Sequence, residues 1–145
     1  MFNYNDGGRR EAGWQGDTGD CVCRSIAIAC ELPYQKVYDD LNILIKSCRQ
    51  TKRIRGSHSR TGVSRKIYDT YLKNLGWSWK ACVTIGSGCT IHLKKEELPA
   101  GNIIARVSKH LVAVIDGMIN DTFDCSRDGT RCVYGYYYKE AMRNG

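Results

Sequence analysis

Apolar positions follow two different rhythms along this chain, and the change falls near its middle. In residues 20–30 apolar or small side chains run almost unbroken, with Val22, Ile26 and Ala29 spaced as one face of a helix. Pro33 opens a second helix, at a position where its missing N–H costs nothing. Tyr34, Tyr38, Leu41, Ile45 and Cys48 then recur every third or fourth residue and form its inner stripe. A third helix is expected over residues 63–75, with Val63, Ile67, Tyr71 and Leu75 in register and Gly76 to end it.

Beyond Gly76 the period shortens. Residues 77–85, 89–93, 102–107, 110–115, 118–123 and 132–139 are short, rich in β-branched or aromatic side chains, and separated by Gly, Pro, Asp or Ser. Asp116-Gly117 between two apolar runs is the strongest hairpin signal in the chain. Helices first and strands second predict an α+β fold, with N-terminal helices packed on a C-terminal antiparallel sheet. The 145 residues suit a single domain, 1–145, preceded by a polar, Gly-rich arm over 1–18. No run of 18 apolar residues is present, so no membrane span is expected. The first residues lack the basic-then-apolar pattern of a secretory leader, which sets the expectation of a cytoplasmic protein.

Charge adds one feature. The formal net charge is +7, and residues 49–66 hold seven Lys/Arg and no acid. A block of one sign repels itself, so a solvated, mobile basic loop is expected over 49–62. Arg53, Arg55 and Arg60 are its candidate contacts to nucleic acid or an acidic partner, although no aromatics are interleaved for base stacking.

Eight cysteines admit a disulfide framework or a zinc site. Cys23 and Cys30 fall in the apolar helical run and Cys82 and Cys89 in strand-like stretches, so reduced, buried thiols are expected. A zinc site would draw on Cys21 and Cys23 with a distant pair such as Cys125 and Cys132. Neither pair has the short spacing of a structural knuckle, so neither a metal nor another cofactor is expected.

The candidate chemistry lies at the start of the first helix. Gln15 stands six residues before Cys21, with Gly16 and Gly19 between them to permit a tight turn. A thiol at a helix N-terminus feels the positive end of the macrodipole, which favours thiolate. Gln15 and the Cys21 backbone N–H can then donate to a developing oxyanion. Trp14, beside Gln15, is a candidate for lining the cleft. Cys23 would point about 200° away from Cys21 on a helix and packs instead.

A thiol nucleophile needs a base, and His110, at the head of the apolar run 110–115, is the most rigidly placed of the three histidines. A two-residue turn at Asp116-Gly117 pairs 112 with 121 and 110 with 123. His110 and Asp121 then share a face one diagonal step apart, where a carboxylate can orient the imidazole. Asn120 points to the other face in this register, and a slip of one residue would exchange the two.

Gln-Gly-x-x-Gly-x-Cys at a helix start, followed in order by His110 and Asp121, resembles the papain-like cysteine peptidases. In size the chain resembles compact members such as bacteriocin-leader peptidases, and over its length it looks like uncharacterised phage and prophage proteins. The resemblance implies a papain-like fold and a cysteine-dependent peptidase, isopeptidase or amidase acting on a peptide or protein. Cys21 would be the nucleophile, His110 the base, Asp121 (or Asn120) the third member and Gln15 the oxyanion residue. Val22 stands where papain-type enzymes often carry an aromatic residue. A different class stays open: a catalytically silent papain-like phage protein that binds nucleic acid or an acidic host protein through the basic loop.

Overall fold

A computed structural model describes residues 2–15, 19–83 and 86–139, apart from the side chain of Arg53. The turn expected at Gly16 and the far end of the strand expected over 77–85 lie outside the described residues.

The helices are α1 (Cys21–Ala29), α2 (Tyr34–Ser47), the single turn α3 (Lys52–Arg55) and α4 (Arg65–Asn74). The strands are β1 (Phe2–Tyr4), β2 (Ser78–Ala81), β3 (Asn102–Val107), β4 (His110–Ile115), β5 (Met118–Asp121) and β6 (Gly135–Tyr138). They form one six-stranded sheet in the order β1-β5-β4-β3-β6-β2. The fold is α+β, and no helix among the described residues is long and apolar enough to cross a membrane.

The sheet is buried on both faces, and the period of two decides what each face receives. Ile104, Leu111, Ala113 and Tyr137 pack under α1, α2 and α4. Their alternates Ile103, Ala105, Val112, Val114 and Ile119 pack with Leu93, Cys125 and Val133 from the long connections. Every residue of α1 after Cys21 is buried, which explains a helix that is apolar on all sides except for Arg24 and Ser25. Asp116 and Gly117 both adopt positive φ, 49° and 79°. This turn fixes the β4–β5 register at Ile115↔Met118, Val114↔Ile119 and Ala113↔Asn120.

Several expectations need correcting. The N-terminal arm contributes a strand, because Phe2–Tyr4 pairs in parallel with β5 and Asn3 hydrogen-bonds Asn120 at 2.8 Å; the sheet is therefore not wholly antiparallel. Residues 49–62 are not a free loop: Thr51 caps α3, Ile54 is buried, and Ser59 donates to the Tyr38 carbonyl at 2.6 Å. Residues 89–93 form an isolated bridge, His92↔Cys132, instead of a strand. Cys89 is joined to Cys132 in a disulfide, so not all cysteines are reduced and Cys132 is not available to pair with Cys125 on a metal.

Candidate active site

Cys21 is the first residue of α1, where the opening N–H groups have no intrahelical acceptor. Asp20 occupies the capping position but makes no side-chain cap. Its carboxylate turns inward, with no exposure, and accepts from Arg9 Nη1 at 3.0 Å, Arg24 Nε at 2.9 Å and the Tyr34 hydroxyl at 2.7 Å. The first N–H groups of α1 are thereby left without a carboxylate lid, beside the sulfur.

His110 opens β4. Its Nε2 lies 2.6 Å from Asp121 Oδ2, which the β4–β5 register places one diagonal step away. That contact uses one ring nitrogen and leaves Nδ1 for another partner. Cys21 and His110 line the same cleft and interact electrostatically, and Arg24 and the Leu111 backbone also act on the sulfur. Phe123 packs against the imidazole with ring centroids 5.4 Å apart. Asn120, on the opposite face, accepts from Asn3 and Asn5 and takes no part.

A further charged group joins the two halves of the site. Arg24, one turn along α1 from Asp20, donates through Nη1 to Asp121 Oδ1 at 2.6 Å and to Thr122 Oγ1 at 3.0 Å. Asp121 thus meets the imidazole with one oxygen and a guanidinium with the other. All of Asp20, Arg24 and Asp121 are buried, and each charge is met by at least two hydrogen bonds.

These contacts set the protonation states. Burial alone would push the Cys21 thiol up, but the hydrogen bond and charge of His110, with Leu111 and Arg24, overcome it and leave the thiol below its ordinary 9.0. Burial likewise disfavours imidazolium at His110, yet hydrogen bonds to Asp121, Cys125 and Cys21 raise it from 6.5 to about 11. Asp121 would be raised by its burial, and is instead lowered by His110 and Arg24. The two shifts run in opposite directions, and each favours the charged form of its group. Cys23, two residues on, is pushed up to about 12 by burial and faces the Tyr34 carbonyl. One helix therefore carries a thiol whose ionisation is favoured and another whose ionisation is opposed.

The sulfur opens into a cleft of about 390 Å³ lined on one side of the sequence by Gly19, Thr61, Gly62 and Val63. Gly19 has no room for a side chain, because a Cβ there would come within 2.7 Å of the Thr61 carbonyl. Gln15 and Trp14 are not among the residues that line this cleft. Gln15 is exposed and its backbone carbonyl accepts from Arg60. Trp14 stacks on Tyr38 at 4.6 Å and donates to Gln35 at 2.9 Å, so its indole faces α2. Arg60 lies over the Trp14 ring, and Arg55 is exposed at the end of α3.

Among the described residues, His110, Asp121 and Cys125 also bring donor atoms within 4.8 Å of one another. The set has the chemistry of a zinc site. Against this, Asp121 already holds Arg24 at 2.6 Å and His110 at 2.6 Å, so a fixed cation sits on the carboxylate that a metal would need. The arrangement suits a hydrogen-bonded charge line better than coordination. Sequence reasoning missed Arg24 here, and weighed Cys125 only as a metal ligand paired with Cys132. A charged residue inside the apolar run 20–30 was the available signal for Arg24.

Comparison with known proteins finds no matching family model, no similar curated protein and no similar solved structure.

Proposed function

We propose that this chain is a cysteine-dependent hydrolase of peptide, isopeptide or amide bonds, built as a compact papain-like protein. The observation that supports the reading is that Cys21 and His110 line one cleft, with Asp121 2.6 Å from the imidazole, the thiol lowered and the imidazole raised. A thiol that merely packs would behave like Cys23.

In this reading the Cys21 thiolate attacks the substrate carbonyl carbon and the carbonyl oxygen takes up the charge. The free N–H groups at the start of α1 stabilise that oxyanion. The expected part of Gln15 has less support, since its side chain lies outside the cleft lining. Imidazolium at His110 gives its proton to the leaving amine, and the C–N bond breaks to leave a thioester on Cys21. Water then attacks the thioester, His110 takes its proton, and the carboxylic acid leaves as the thiolate is restored. Asp121 keeps Nε2 engaged, which leaves Nδ1 as the nitrogen that would carry the proton between sulfur and substrate.

The binding-protein reading, in which residues 49–66 hold nucleic acid or an acidic partner, has less behind it. Arg60 is already committed to the Gln15 carbonyl and the Trp14 ring. The deciding experiment is labelling with a peptidyl vinyl sulfone, read by mass spectrometry of the modified peptide. Wild type is expected to label at Cys21, whereas Cys21→Ala and His110→Ala lose that label with circular dichroism unchanged. Equal labelling of wild type and Cys21→Ala would rule the proposal out.

A further inference from the structure

Besides His110, three of the residues that line the cleft are cationic: Arg65, Arg106 and Lys109. No carboxylate is among the described residues lining it, and none of the three has an ion-pair partner among the described residues. We propose, resting on the hydrolase reading above, that the cleft selects acidic peptides, binding Asp or Glu side chains beside the bond that Cys21 attacks.

The three cations come from separate elements and each is positioned. Arg65 begins α4, and its guanidinium lies 5.2 Å above the Trp79 ring, a contact that holds the group in place while leaving its N–H donors free. Asp69, one turn along, is the nearest acid on that helix. It is occupied by the Tyr137 hydroxyl at 2.7 Å and by Lys73 at 2.9 Å. Arg106, half-buried on β3, lies 5.7 Å from the Tyr134 ring and acts electrostatically on Tyr68, which also lines the cleft.

Lys109 sits in the turn just before His110 with φ of 56°, a conformation that glycine or asparagine adopts more readily. Lys109 is exposed at the mouth of the cleft, and among the described residues no ion pair holds it elsewhere. Cations of one sign converging on a concave surface concentrate anionic ligands there. A carboxylate that replaces their water would make charge-assisted hydrogen bonds with the two guanidinium groups.

The test uses acetylated tripeptidyl chloromethyl ketones in which Glu, Gln or Lys takes each position in turn and Ala fills the others. The alkylation rate at Cys21 is read by mass spectrometry. At one position or more, Glu should react about tenfold faster than Gln, the low end of what a cleft of one sign produces, and Lys slower than Gln. The Glu-to-Gln ratio should fall towards one in 0.5 M salt, and in Arg65→Gln/Arg106→Gln. A ratio near one at every position, or one that salt and the double variant leave unchanged, overturns the proposal. The salt series on wild type decides the matter if the variant does not fold. Iodoacetamide, small and uncharged, separates this failure from that of the underlying reading. Preferential modification of Cys21 over Cys30 and Cys48 keeps the nucleophile and sinks only the selectivity; no preference removes both.

Discussion

Cys21, His110 and Asp121 each titrate away from their ordinary values, and the direction of each shift gives a measurable pH profile. The thiol lies below 9.0 because the charge and hydrogen bond of His110 outweigh the burial that opposes them. As pH is lowered from 9, alkylation of Cys21 by iodoacetamide should therefore hold its rate further than an ordinary thiol does, with its midpoint below 9.0. Cys23 and Cys30, both pushed up to about 12 by burial, should stay nearly silent over that range. Replacing Asp121 by Asn removes the carboxylate that keeps the imidazole charged. At pH 7 the Cys21 rate should then drop about tenfold or more, the effect of one nearby opposite charge lost.

The same shifts link to stability. His110, raised from 6.5 to about 11, contributes stability that is whole below about pH 6.5 and gone once pH has risen through 11. Cys21 and Asp121, both lowered, contribute above 9.0 and 3.8 respectively and lose that contribution as pH falls through their folded values. Urea denaturation of wild type and Asp121→Asn across pH 3–11 should show the variant with a flatter profile.

Among the elements, the β4–β5 hairpin was the most legible from sequence, since Asp116-Gly117 leaves only one comfortable register and that register sets His110 beside Asp121. β1 was not legible. Phe2, Asn3 and Tyr4 are all exposed, so no burial pattern marks them, and their pairing rests on backbone bonds and on Asn3 with Asn120. The fold of the basic segment was hidden for a related reason: its anchors are single residues, Ile54 and Ser59, in a run whose charge suggested solvent. Arg24 was hidden by its neighbours, because an apolar helix reads as buried and an arginine within it reads as an exception.

The β2–β6 pair adds a point that only coordinates supply. Gly135 lies beneath Trp79, and a Cβ there would meet the indole at 2.3 Å and the Lys80 carbonyl at 2.7 Å. Gly135→Ala should cost about 1–3 kcal/mol, the usual range for overpacking, visible as a lower urea midpoint. Because Arg65 rests on the same Trp79, the substitution also reaches the cleft.

At the scale of the whole molecule, two devices tie the sheet to what surrounds it. The Cys89–Cys132 disulfide closes a long excursion on the sheet face away from the helices. Cysteines 43 residues apart with strands between them carry no pattern that would reveal the link. Reduction should lower stability by about 4 kcal/mol on the chain-entropy account, and by less where the reduced chain keeps residual order. The difference in urea midpoint with and without dithiothreitol, using Cys89→Ser/Cys132→Ser as control, measures it. Next to Cys132, Arg131 donates to the carbonyls of Ser108 and Cys125, so the disulfide also steadies the turn that carries Lys109.

The other device is the buried guanidinium that Asp20 and Asp121 share. It bolts the end of a helix to the end of a hairpin, and those two ends bear the sulfur and the imidazole. Their alignment is therefore settled when the chain folds, before any ligand arrives. The two ends are set against each other by the fold itself, with no rearrangement between them required when a ligand enters the cleft.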